Sequence, residues 1–240
     1  LYEKFGGSLR IKKPQKEHHK VLYVWSLRSR EGCKKMIAKI CPYLKLKKDQ
    51  AILMLDFLNI DHCDHDVGET FNLKMKNLNR DILFNPLGFN QQSINDSNDP
   101  IFWSYFAGIM DTEGSFTMKK EKPHSGSISF RYNPVIQLTM VPVACLNYIR
   151  ENYSSGSFCV PKANCTGKGY AYKMNLCGKL NCINFIKNIL PYLKHKNAQA
   201  LLILKFFEDF NPVKHRRAGV PQEILEFRED VYLQMRSLNA

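Results

Sequence analysis

The sequence contains no run approaching the roughly 18 unbroken apolar residues that a membrane span needs, which excludes a transmembrane helix. It has no CxxC pair among its eight cysteines, Cys33, Cys41, Cys63, Cys145, Cys159, Cys165, Cys177 and Cys182. Most of these sit in apolar or strand-like surroundings, which suits buried reduced thiols. No signal peptide opens the chain, which begins at Leu1 and not at Met, and its N-terminus is read as incomplete. Acidic residues are in deficit: 22 Asp and Glu stand against 35 Lys and Arg, for a net charge of +13. The deficit is uneven, because residues 61–100 carry three basic and seven acidic residues, net −4, leaving +17 on the rest. A basic surface of that size points to a polyanionic partner, since Lys and Arg gain affinity by releasing phosphate counterions. The basic usage of an AT-rich genome is the plainer alternative. Within the acidic stretch, His62-Cys63-Asp64-His65-Asp66 has metal-binding residue types but no second ligand pair at a suitable spacing, and it reads as solvated linker.

What is present is enough apolar residue, 44%, to build real cores, over 240 residues that allow one large domain or two smaller ones. An internal repeat decides between these. Residues 1–9, 23–27 and 42–51 are matched in order by residues 149–158, 170–176 and 191–200. The pattern Pro-Tyr-Leu-Lys-x-Lys-x-x-Gln-Ala occurs at Pro42 and again at Pro191. Each copy reads as helix end, hairpin, helix, helix. Gly6-Gly7 and Ser155-Gly156 punctuate the turn into a strand. Leu9 and Ile11 alternate with Arg10 and Lys12, which predicts one buried and one basic face. Residues 33–40, 51–58, 182–190 and 200–207 have helical spacing.

The second copy has more in front of it. An apolar helix over 101–116, strands near 115–122 and 130–140, and a helix near 143–152 precede its matched part, giving αββαββα. The first copy begins only at the end of its middle helix. The expected divisions are therefore a partial first repeat over 1–60, an acidic surface linker over 61–99, and a complete second repeat with C-terminal helices over 100–240.

Phe106-Ala-Gly-Ile-Met-Asp-Thr-Glu-Gly-Ser-Phe116 resembles the LAGLIDADG signature of the homing endonucleases and maturases, and the resemblance runs through both hairpins to Met235-Arg-Ser-Leu-Asn239. It covers 100–240 almost completely and 1–60 as the back part of a second copy. It implies an α+β, duplicated αββαββα homing-endonuclease fold whose antiparallel sheets form a nucleic-acid-binding saddle, the N-terminal repeat being incomplete here. It implies ancestral metal-dependent, site-specific cleavage of double-stranded DNA, usually with Mg2+. Carried over by residue, Glu113 is the metal-binding catalytic carboxylate, and Lys47 and Lys196 match the second Lys of the family's Pro-(Phe/Tyr)-Leu-Lys-x-Lys segment, which reaches the active site. Ala107 and Gly108 are small enough for two such helices to approach closely. Glu113 falls where the helix ends, where the dipole disfavours a carboxylate by roughly 0.3–1 kcal/mol unless a cation is bound. Groove-facing candidates on the strands are Arg10, Lys12, Arg28, Lys119, Arg131, Gln137, Lys162 and Lys173.

Two departures bear on cleavage. The first copy offers no signature carboxylate to pair with Glu113, and Met140 stands where the family often has a polar Gln. Three accounts stay open: the N-terminus is clipped, a separate polypeptide supplies the missing helix and strands, or the protein is a retired binder. The alternative function is accordingly a catalytically inactive RNA-binding protein, an intron maturase or a structural component of an organellar ribonucleoprotein such as a mitochondrial ribosome. Expected partners are double-stranded DNA or structured RNA and no membrane. The abundance of Lys, Asn and Ile, with the family's habits, points to an organelle, the mitochondrion ahead of the chloroplast.

Overall fold

Gly6 and Gly7 sit at φ +67° and +97°, backbone that L side chains rarely adopt, and a Cβ on Gly7 would lie 2.5 Å from the Ser26 carbonyl oxygen. They turn the chain from a single helical turn, α1 (Tyr2–Phe5), into an antiparallel hairpin of β1 (Ser8–Lys12) and β2 (Leu22–Ser26). Trp25 Nε1 donates to the Gly6 carbonyl at 2.7 Å and fixes that corner. This geometry comes from a computed structural model that describes residues 2–13, 21–60, 65–84, 97–123, 129–140, 143–159, 172–208 and 220–239. The chain divides into two compact units, Leu1–Asn85 and Pro86–Ala240.

In the first unit, α2 (Arg30–Ile40) starts at Ser29, whose Oγ accepts from the Gly32 amide at 3.2 Å. A 3₁₀ turn through Cys41–Tyr43 carries Pro42, and α3 (Lys48–Asn59) follows. Arg30 donates to the Leu58 and Ile60 carbonyls at the end of α3, where a cation complements the dipole.

Residues 61–99, expected as one acidic surface linker, divide differently. His65–Phe84 form a 20-residue helix, α4, that packs on α3. Val67, Phe71, Met75 and Leu78 recur at helical spacing and are half-buried, and the Phe57 and Phe71 rings lie 5.3 Å apart. Three acids and three bases balance along α4, so the negative excess of the stretch lies on either side of it. A charge census over forty residues hides the helix because it averages α4 with its flanks.

In the second unit, α5 (Pro100–Thr112) is capped by Asp99, whose Oδ1 accepts from the Ile101 amide at 2.9 Å, with Pro at the first turn. Phe102, Trp103, Phe106, Ala107 and Met110 form its buried stripe. Then come β3 (Gly114–Glu121), β4 (Arg131–Met140), α6 (Val143–Asn152), β5 (Ser157–Cys159), β6 (Tyr172–Leu176), α7 (Lys179–Ile189), α8 (Asn197–Glu208) and α9 (Gln222–Asn239). The sheet order is β3-β4-β6-β5, antiparallel throughout. The expected αββαββα order with C-terminal helices is present, starting at Ser97, whose amide is bonded to the Asn152 carbonyl. Pro134 lies where β4 pairs with β3 alone, a place that tolerates its missing N–H.

The core of this unit is α5 and the inner sheet face packed among α7, α8 and α9. Phe102, Phe106, Ile136, Leu138, Met174 and Phe185 are fully buried, each contributing about 1.5–3 kcal/mol by apolar burial. Val231 and Met235 bring α9 into the same core.

The repeat is legible in the backbone. Ile40, Cys41 and Leu44 have φ/ψ of −92/−24°, −53/−41° and −73/131°. Their counterparts Ile189, Leu190 and Leu193 have −90/−26°, −53/−41° and −65/137°. Gln50 Nε2 donates to the Leu78 carbonyl at 3.2 Å, and Gln199 Nε2 to the Leu238 carbonyl at 3.1 Å. That pairing makes α4 the counterpart of α9, a match carried in sequence by Met75-Lys-Asn-Leu-Asn79 and Met235-Arg-Ser-Leu-Asn239.

Candidate nucleic-acid interface

The end of α5 and the corner before α8 hold each other. Asp111 accepts from three consecutive amides, Lys194 at 2.7 Å, His195 at 3.1 Å and Lys196 at 3.0 Å. In return Lys196 Nζ donates to the Met110 and Gly114 carbonyls at 2.9 and 2.5 Å. A side-chain cation thus satisfies carbonyls that a helix end leaves open. Partial burial pushes the Asp111 carboxyl up, but the amides of Lys194, Lys196 and His195 outweigh it and hold it below the usual carboxylate range. Burial lowers the Lys196 ammonium below its ordinary value, opposed by the charges of Asp111 and Glu113. Gly114 has no room for a side chain, since a Cβ would meet Met110 Cα at 2.8 Å.

Glu113 is the exposed C-cap of α5, its amide bonded to the Ile109 and Met110 carbonyls. Lys196 and Glu113 are therefore brought to one corner, as expected. Asp111 was not foreseen there, because the sequence gives no sign that its oxygens are used by backbone amides. A hard divalent ion takes about six oxygen ligands. With Asp111 and both carbonyls engaged, Glu113 is the carboxylate left at this corner, so the described residues here do not by themselves fit a resident metal. Among the described residues no group of three His, Cys, Asp or Glu gathers to hold one.

Lys47 has the same backbone setting as Lys196 but another partner, donating to Asn79 Oδ1 at 3.0 Å. Asn79 matches Asn239, whose Nδ2 instead reaches the Phe116 carbonyl in β3 at 3.1 Å. Of the small pair on α5, Ala107 is buried in its own unit's core, while Gly108 is exposed with nothing within 4 Å of a Cβ.

The strand candidates fall largely on one surface. On β3, β4 and β6 the even-numbered residues Phe116, Met118, Tyr132, Ile136, Leu138, Met174 and Leu176 are buried. The odd-numbered ones therefore face outward, among them Lys119, Arg131, Gln137 and Lys173. Register aligns Ser115, Gln137, Asn175 and Ser157 in one polar row across all four strands. Thr139 and Lys173 pair beside it, as do Lys119 and Asn133. Arg131 is partly neutralised by Glu121 at 3.7 Å. Gln137 Nε2 donates to Thr139 Oγ1 at 3.0 Å. Ser115, Asn133, Asn175 and Ser157 were not singled out from sequence, because which uncharged polar residues line up is a property of register.

In the first unit Arg10 and Lys12 are exposed on β1 as expected, but Leu9 and Ile11, expected to be buried, are 55% and 64% exposed. The alternation is right and the cover is absent from the described unit. Arg28 lies past the end of β2, in the connection to α2, and is exposed there rather than on a strand. Lys162 lies outside the described residues.

No protein-family model and no curated protein matches the chain. Solved structures do. The meganuclease I-SmaMI bound to uncleaveable DNA is similar at a TM-score of 0.65 and 16% identity, over 98% of this chain and 82% of that one. I-SmaMI bound to uncleaved DNA with calcium ions gives 0.64 and 17%, over 98% and 82%. The homing endonuclease I-CvuI with its target covers 58% of this chain and 82% of that chain, at 16% identity and a TM-score of 0.48. With its αββαββα unit and its Phe106–Phe116 signature helix, the chain has the fold of the LAGLIDADG homing endonucleases.

Proposed function

We propose that the chain binds duplex nucleic acid through the outer face of β3-β4-β6-β5, with double-stranded DNA as its target. The observation that carries this is the row Ser115-Gln137-Asn175-Ser157 flanked by Lys119, Arg131 and Lys173. Three strand spacings of about 4.8 Å make that row roughly 14 Å wide, comparable to a major groove of about 12 Å. Gln and Asn carry the paired donor and acceptor that match adenine edges, and the lysines meet phosphate. The DNA held by I-SmaMI in its solved structures supports the same choice of ligand.

Ancestral activity on this reading is metal-dependent double-strand cleavage, impaired in this chain by itself. Cleavage of two strands needs a stabilised nucleophile and leaving oxygen at each of two phosphates. Glu113 is one carboxylate, and Lys196 is committed to helix-end carbonyls. The same corner favours a second reading, an RNA-binding protein without cleavage, in which Glu113 is a solvated cap and A-form RNA is recognised by shape.

Binding is tested by anisotropy with duplex DNA and duplex RNA. With six to ten phosphate contacts, affinity falls roughly 10³–10⁵-fold between 50 and 200 mM salt. A flat salt response overturns the proposal, and preference for RNA transfers it to the second reading. Supercoiled plasmid with Mg2+ or Mn2+ tests impairment: linear product from the natural chain that is lost in Glu113→Gln shows that the chain cuts unaided.

A further inference from the structure

Helix α2 carries Lys35 and Lys39 one turn apart, both exposed, and Tyr43 continues their spacing into the 3₁₀ turn at 62% exposure. Like charges at i and i+4 destabilise a helix, and α2 buries none of its residues to offset that. Neither lysine has an ion-pair partner among the described residues, since Glu31, the acid of this helix, pairs with Lys34 at 4.0 Å. Lys45 and Lys48 follow, both exposed, past the turn.

The repeat supplies an internal control. The same stripe on α7 and its 3₁₀ turn reads Asn184, Asn188 and Tyr192, with the two turns alike in backbone. Asn184 and Asn188 are exposed and uncharged, and Tyr192 is half-buried where Tyr43 is exposed. Lys48 likewise stands against Asn197. Helix and turn therefore form without lysines at these places, and the charge on α2 is an addition that the local fold does not require.

The chemistry of the stripe selects its ligand. Lysines along one side of a helix meet phosphates, and an exposed ring beside them gives an unstacked base a surface to lie on. A DNA duplex keeps its bases stacked and offers the ring nothing, whereas the loop of a folded RNA presents open bases between its phosphates. We propose that Lys35, Lys39 and Tyr43 form a second nucleic-acid surface, which takes an unpaired loop of RNA. The two lysines meet its backbone and Tyr43 stacks on one base. This surface lies on a helix and a turn, and it works independently of duplex binding by β3-β4-β6-β5.

The probe is a fluorescent RNA hairpin with a loop of about eight nucleotides, titrated with the full chain and read by anisotropy over a range of salt. Lys35→Asn with Lys39→Asn installs the residues that α7 carries, and circular dichroism checks that helicity is kept. In that variant the slope of log affinity against log salt is expected to fall by about 1.4, at roughly 0.7 for each single-strand phosphate contact. Tyr43→Ala weakens hairpin binding on the order of tenfold, the loss of one stacked base, and Tyr43→Phe keeps it. Duplex DNA binding stays as in the natural chain in all three variants. The proposal is overturned if the lysine variant keeps the natural slope or if Tyr43→Phe loses as much as Tyr43→Ala. It is also overturned if loop RNA and duplex DNA weaken together, or if a DNA hairpin of the same sequence binds more tightly than the RNA.

Discussion

The two units contain the same pieces in different states of cover. Helix α7 buries Cys182, Phe185, Ile186 and Ile189, whereas its counterpart α2 buries none of its residues. Helix α8 buries six residues and α3 two, and those two, Gln50 and Ala51, are the counterparts of Gln199 and Ala200. Yet the 3₁₀ turns between them agree within a few degrees at the caps. Local sequence therefore reproduces local backbone in both units, through proline, the capping residues and apolar spacing. Burial follows from whether something equivalent to α5, β3 and β4 lies over those elements.

The largest effect that tests this is a core truncation made twice. Phe185→Ala removes a fully buried ring and is expected to cost about 3–5 kcal/mol. The counterpart change Met36→Ala, at a half-buried site, is expected to cost less than about 1 kcal/mol. Chemical denaturation of both variants checks it; equal losses would break the comparison.

Next comes the close approach at the end of α5. Gly114→Ala drives a Cβ against Met110, whose side chain can shift but whose Cα, 2.8 Å away, cannot. A loss of about 1–3 kcal/mol is expected. Gly108→Ala on the same helix meets open space and should stabilise by up to about 1 kcal/mol through helix propensity. If both glycines respond alike to thermal denaturation, the crowding at Gly114 is not real.

Asp111→Asn probes the corner by pH. The folded-state carboxyl of Asp111 is held below its unfolded value. Its contribution is complete above the unfolded value of about 3.9 and is lost as pH falls through the lower folded one. The stability gap between natural chain and variant should thus be constant near neutrality and close below about pH 4. A gap that persists in acid would assign the loss to shape and not to the charge on the amides.

The smallest effect is the one expected to be equal in both units. Gln50→Ala and Gln199→Ala each lose one bond to a carbonyl in the partner helix, at 3.2 and 3.1 Å, and each removes a buried Oε1 that has no hydrogen-bond partner. About 1 kcal/mol is expected for each. A clear difference between them would mean that α4 and α9 are not equivalent.

Much of the fold was legible in the sequence because periodicity and punctuation are local. Strands expected near 115–122 and 130–140 are Gly114–Glu121 and Arg131–Met140, and the helix expected near 143–152 is Val143–Asn152. Helix α4 was missed although Met75-Lys-Asn-Leu-Asn79 repeats Met235-Arg-Ser-Leu-Asn239, since a charge average over 61–100 concealed its spacing. Of the site, Glu113 and Lys196 at one corner followed from the signature, and Lys119, Arg131, Gln137 and Lys173 on one face followed from alternation.

By itself, the sequence determined the order of elements, their capping, the duplication and the excess of positive charge. These depend on neighbours a few residues apart and on composition. Only the tertiary structure decided that Asp111 serves three amides 83 to 85 residues away, that Lys196 closes the end of α5, and that Ser115, Gln137, Asn175 and Ser157 share one row. It also decided that Lys47 meets Asn79 where Lys196 meets a helix end. Which partner a polar group finds is set by register and packing between distant segments, and identical local motifs carry no record of what lies across from them.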